Sequence, residues 1–128
     1  MNLLLDTHTF IWWASEPNQL PQKIRELCEN PENTLVLSVA SVWEMQIKMQ
    51  LGKMTLHDTL PELIESQMET NDLTLLHITL DHVMGLAQLP LIHHDPFDRL
   101  LISQAVVEDF FFVSKDKKIA GYPVKILW

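Results

Sequence analysis

Short, uniformly apolar runs alternate along this chain with longer stretches in which apolar residues recur every three or four positions. Residues 2–5, 35–37, 73–78 and 110–113 have strand length and strand composition, and residues 124–127 form a further run placed at a sheet edge. Between them the spacing predicts helices over residues 9–14, 21–29, 41–51, 58–70, 80–89 and 96–107. Ile24, Leu27 and Cys28 make one apolar stripe, and Leu60, Leu63, Ile64 and Met68 another. Gly52 stops the third helix, Pro90 closes the fifth, and Pro96 suits the first position of the sixth. Strands that alternate with helices predict an α/β sandwich. Its central, mainly parallel sheet has four to five strands, flanked by helices in a single domain over residues 1–128.

The acidic residues stand at informative places in this pattern. Asp6 follows the first strand and Asp116 the fourth. Glu44 is in the first turns of the helix after strand two, and Asp98 in those of the helix before strand four. Each has a local explanation. Asp6 suits a helix cap, Glu44 a surface pair with Lys48 four residues on, Asp98 a capping arrangement with Asp95, and Asp116 a tight turn with Lys117. Yet in an α/β sheet functional groups gather beyond the carboxyl ends of the strands, and all four acids map to that edge. Converging carboxylates repel one another unless a cation compensates. An all-oxygen donor set calls for a hard ion, Mg²⁺ or Mn²⁺, which suits activation of water and stabilisation of a leaving oxygen at a phosphodiester. That is nuclease chemistry.

Composition narrows the alternatives. The formal net charge of −8 argues against a generic nucleic-acid coat protein, whose affinity would come from Lys and Arg. It leaves room for an enzyme that holds nucleic acid through a metal and local cations, of which Lys48, Lys53, Arg99, Lys115, Lys117 and Lys118 lie near the acidic segments. With one cysteine, Cys28, there is no internal disulfide and no cysteine-rich metal site, which fits a reducing cytoplasm. No apolar stretch reaches membrane-helix length, and the opening residues lack the features of a signal peptide. His93 and His94 beside Asp95 raise the question of zinc, but adjacent histidines on a loop diverge and no second cluster accompanies them. Thr7 and Ser114 place short hydroxyls beside candidate ligands, where they can orient a carboxylate or satisfy a local backbone donor. The Trp12-Trp13 pair reads as packing rather than base stacking.

With these residues assembled, the chain resembles the PIN-domain ribonucleases of VapC type, toxin components of type II toxin–antitoxin systems. Leu3-Leu4-Leu5-Asp6-Thr7-His8 is similar to the family's opening strand and first acid. Ser41-Val42-Trp43-Glu44 with Leu51-Gly52-Lys53 is similar to its second motif, His94-Asp95-Pro96-Phe97-Asp98-Arg99 to its third, and Ser114-Lys115-Asp116 to its last. The resemblance implies a PIN-like three-layer sandwich with Asp6, Glu44, Asp98 and Asp116 as catalytic acids holding Mg²⁺ or Mn²⁺ for RNA cleavage. Thr7, Ser114, Asp95 and Arg99 are expected in support. It also implies a homodimer and a cognate antitoxin whose tail enters the active-site groove. Ser114 stands where the family commonly has threonine, and the hydroxyl survives. A receiver domain would need an acid pair after strand one, where Thr7 follows Asp6, and an aspartate-nucleophile phosphatase would need an acid where His8 stands. The alternative that remains is a catalytically inactive PIN-like RNA- or protein-binding subunit.

Overall fold

A computed structural model describes residues 1–92 and 95–128. His93 and His94, weighed above as metal ligands, lie outside the described residues. The strands β1 (Asn2–Leu5), β2 (Thr34–Ser38), β3 (Thr74–Leu76), β4 (Phe111–Val113) and β5 (Ile126–Leu127) form one sheet in the order β3-β2-β1-β4-β5. Every pairing is parallel. The helices are α1 (Thr7–Ser15), α2 (Gln22–Glu29), α3 (Val39–Gln50), α4 (Leu60–Asn71), α5 (Leu80–Gly85) and α6 (Pro96–Glu108). The expected α/β sandwich is present, with a fully parallel sheet and β5 at one edge.

Alternation along each strand divides the core into two faces. Leu3, Leu5, Leu35, Leu37 and Val113 pack against Phe10 of α1, Ile24 of α2, Met45 of α3 and Leu63 of α4. Leu4, Val36 and Phe112 point the other way, onto Leu101, Ile102 and Ala105 of α6. Burial on both faces explains why these strands read as continuous apolar runs rather than alternating ones. Each fully buried Leu or Phe contributes about 1.5–3 kcal/mol relative to an exposed one, so the sheet interior dominates the stability.

Local chemistry moves several element boundaries. The helix expected from residue 9 begins at Thr7, because the Asp6 side chain accepts the Thr9 N–H at 2.7 Å and caps it. The helix expected from residue 58 begins at Leu60, capped by Thr59, whose hydroxyl accepts the Glu62 N–H. The run over residues 73–78 yields only the three-residue β3, an edge strand bonded to β2 alone. Leu73 instead closes α4, its N–H reaching the Gln67 carbonyl while Asp72 takes a left-handed conformation (φ 52°). The expected helix over residues 80–89 ends at Gly85 and continues as a 3-10 turn, Leu86–Gln88.

From β1 the chain builds outward through β2 to β3, then returns across the sheet to place β4 on the other side of β1. The connection therefore reverses direction between β1 and β4, the point beyond whose carboxyl ends open α/β sheets place their functional groups. The candidate residues Asp6, Asp116 and the first turn of α6 lie toward that edge.

Candidate active site

Asp6 is the first residue beyond β1, and its own N–H still bonds to the Val113 carbonyl of β4 at 3.1 Å. Leu5 and Val113 are register partners, so Asp6 and Ser114 emerge side by side. The two carboxylate oxygens of Asp6 are used differently. Oδ1 accepts the Thr9 N–H as the cap of α1, and Oδ2 accepts the Ser114 hydroxyl at 2.5 Å. Ser114, only 2 % exposed, also accepts the Asp116 N–H at 3.1 Å. One buried hydroxyl thus couples the first acid to the backbone of the last, across 108 residues of chain. The Asp116 carboxylate accepts the Lys118 N–H at 2.9 Å and starts the 3-10 turn Lys117–Gly121.

The second acid is anchored through Thr7. Its hydroxyl is 2.7 Å from Glu44 Oε1 and 3.1 Å from Ser41 Oγ. A threonine hydroxyl has a single proton. The carboxylate takes it, so the Ser41 hydroxyl donates to Thr7 and Thr7 donates to Glu44. The other oxygen, Oε2, pairs with Lys48 Nζ at 2.9 Å, and the Glu44 side chain is 12 % exposed. The helix turn that makes Ser41 and Glu44 neighbours on one face thus aims both at α1. Ser41 was absent from the expected site residues, although its spacing of three from Glu44 is the signal that could have found it.

The third acid lies on α6, whose first residues come to the same edge because the helix runs back antiparallel to the strands. Asp95 is the cap of α6, its Oδ1 accepting the Phe97 N–H at 2.8 Å and the Asp98 N–H at 3.2 Å. Asp98, half-buried, sits in the first turn. The seam with α3 is closed by Trp43 and Phe97, the residues immediately before Glu44 and Asp98, whose rings meet edge-to-face at 5.0 Å. Every local role foreseen for the acids is realised, Asp116 capping the tight turn that begins at Lys117 through the Lys118 N–H. The acids are nonetheless brought to one sheet edge. Capping and convergence are compatible because a carboxylate has two oxygens.

Arg99 has a bracing role. It donates to the carbonyls of Pro90 (2.7 Å) and Leu86 (3.4 Å) and to the Tyr122 hydroxyl (3.2 Å), tying the connection before α6 to the turn after β4. His8 is exposed on the first turn of α1, with its ring 5.9 Å from Trp12. Lys115 lies over Trp12 at 5.5 Å, and Trp128 packs 6.2 Å from it. Trp13 is half-buried and donates to Gln67 Oε1 at 3.0 Å, so the tryptophan pair does pack against the core.

Among the described residues no three of His, Cys, Asp or Glu form a ready-made cage for an ion. The arrangement offers carboxylate oxygens from separate elements, two of them pinned by hydroxyls. Among these residues no helix is long and apolar enough to cross a membrane.

Residues 3–125 match the PIN domain family, and the chain belongs to that family. It is similar to ribonuclease VapC22 of Mycobacterium tuberculosis, at 24% identity over 121 residues, covering 94% of this chain and 91% of the relative. Among solved structures it resembles VapBC2 from Rickettsia felis bound to a promoter DNA fragment, with a TM-score of 0.74, 16% identity and coverage of 99% and 98% of the two chains. VapBC-1 from nontypeable Haemophilus influenzae superposes with a TM-score of 0.63 at 15% identity, covering 99% and 97%. At such identities the structural likeness establishes the PIN fold.

Proposed function

We propose that this PIN protein is a divalent-metal-dependent endoribonuclease, the toxin half of a VapC-type toxin–antitoxin pair, with Asp6, Glu44, Asp98 and Asp116 as its working acids. The observation that carries the reading is the pair of hydroxyl couplings, Ser114 to Asp6 and Thr7 to Glu44, at the point where the sheet reverses direction. A carboxylate that only caps a helix has no need of a buried hydroxyl on its second oxygen. The likeness to a ribonuclease and to VapBC complexes supports the same reading.

The donor set fits Mg²⁺ or Mn²⁺. Every candidate ligand is a carboxylate oxygen, and Mg²⁺ takes only one or two carboxylates alongside water and substrate phosphate, so a closed protein cage is not required. Asp6, Glu44, Asp98 and Asp116 are the residues that would hold the ion, directly or through its waters. When bound, it would supply water activation and charge neutralisation at the phosphodiester. The chain's own residues orient. Ser114 fixes the rotamer of Asp6, and Thr7, backed by Ser41, fixes Glu44. Lys48 offsets part of the negative charge when substrate phosphate is absent. Asp95 and Arg99 set where α6 begins and so where Asp98 stands. An antitoxin and a second copy of the chain are the partners this reading brings, and a cytoplasmic location goes with it.

The purified chain should cleave RNA with Mg²⁺ or Mn²⁺ and stop when the metal is chelated. Asp6→Asn and Asp98→Asn should each abolish cleavage while thermal unfolding stays unchanged or rises, because charge repulsion is relieved. Undiminished cleavage by both variants refutes the assignment. RNA binding without cleavage under any divalent metal would favour the inactive-subunit alternative.

A further inference from the structure

Of the four tryptophans, Trp12, Trp13 and Trp128 are half-buried and engaged with one another, with Lys115 or with Gln67. Trp43 is different: it is 59% exposed. A single exposed apolar side chain is ordinary, and Leu80 and Leu91 are more exposed still, but an indole can also stack on a base. Its position narrows the choice. Trp43 directly precedes Glu44, and its neighbour Phe97 directly precedes Asp98, so the edge-to-face pair spans the seam between the two helices that carry those acids. Phe97 is half-buried against the core and its N–H is held by Asp95, so Trp43 leans on a fixed support.

Resting on the ribonuclease reading above, we propose that Trp43 is a stacking platform for an unpaired RNA base next to the cleaved phosphodiester. A flat π-face held rigidly beside the reacting groups binds any base with little sequence preference, and only when the base is splayed out of a helix. With a net charge of −8, phosphate contacts through the metal and a few local cations leave room for stacking on the bases to add affinity. Trp12 cannot serve equally, since Lys115 and Trp128 already lie against its ring. The consequence is a preference for single-stranded or loop RNA over duplex.

The test uses the full chain made inactive by Asp98→Asn, titrated in Mg²⁺ with a labelled single-stranded oligoribonucleotide and with a fully paired duplex. Adding Trp43→Ala should weaken single-strand binding by about tenfold or more, within the range for loss of one base stack, and leave duplex binding unchanged. Trp43→Phe should restore most of the affinity. In the otherwise wild-type chain, Trp43→Ala should raise KM for single-stranded substrate more than it lowers kcat. Equal loss for single strand and duplex would mean a structural role and overturn the proposal. Unchanged RNA affinity with loss of the homodimer or of antitoxin binding would make Trp43 a protein contact instead, and also overturn it. Both results leave RNA cleavage by the wild type intact. Failure of the ribonuclease reading would show separately, as a wild-type chain that cleaves no RNA.

Discussion

Ser114→Ala tests the coupling between the ends of the chain most directly. The hydroxyl donates to the Asp6 carboxylate and accepts the Asp116 N–H, so its removal breaks both bonds at once. A hydrogen bond to a charged group contributes about 1.5–3 kcal/mol and one between neutral groups about 1 kcal/mol. Both lie at a partly buried position where water replaces some of the loss, which brings the expected destabilisation to about 2–3 kcal/mol. With a urea m-value of roughly 1–3 kcal/mol per molar, the unfolding midpoint should fall by about 1–2 M at unchanged m. Activity should fall by roughly 10–100-fold through the disordered Asp6 carboxylate, as when an outer-shell partner of a metal ligand is lost. Ser114→Thr keeps the hydroxyl and should retain most activity, at the expense of fitting one methyl into a packed site. A Ser114→Ala protein within about 0.5 kcal/mol of wild type and equally active would show that water substitutes for the hydroxyl, and the coupling argument would be wrong.

Asp95→Ala removes the cap of α6 and should cost about 1 kcal/mol in chemical denaturation with most cleavage retained, so metal affinity lost as completely as in Asp98→Ala would make Asp95 a ligand. Burial, reinforced by the nearby Glu29 charge, pushes the Cys28 thiol from 9.0 up to about 12. The folded state therefore keeps the proton that the unfolded state releases above pH 9, and stability should fall by up to about 1.4 kcal/mol per pH unit between those values. Denaturation at pH 8 and pH 10 should show that slope, Cys28→Val should lack it, and thiol reagents should label the native chain slowly. A Cβ at Gly85 would stand 2.7 Å from Ser103 Oγ, the hydroxyl that donates to the His82 carbonyl at 2.6 Å. Gly85→Ala should thus lose about 1–3 kcal/mol to overpacking, more than the gain in helix propensity of about 1 kcal/mol, and a more stable variant would mean that α5 shifts freely on α6.

What the amino-acid sequence determined by itself was the order and type of the elements, because both follow from short-range causes. Continuous apolar runs marked β1, β2 and β4, and spacing of three and four marked α2, α4 and α6. Asp95 and Pro96 marked where α6 starts. The same patterns put Asp6, Glu44, Asp98 and Asp116 at element ends, and with the rule for α/β sheets that was enough to place them on one edge. Where local chains of cause competed, the reading slipped. Leu73 carried a strand pattern, but its N–H went to the end of α4, which left β3 at three residues.

The tertiary structure alone decided the strand order, and with it that β1 and β4 lie side by side with the reversal between them. From that adjacency comes the Ser114 bond to Asp6, between residues no local pattern relates. It also decided that Ser41 backs Thr7, that Arg99 braces the fold through Pro90, Leu86 and Tyr122, and that Trp43 is the tryptophan left open to solvent. The physical reason is common to all of these. Backbone propensity and amphipathic period act over a few residues, whereas a side chain's partner is chosen by which surfaces bury together, and that is settled only when the whole sheet closes.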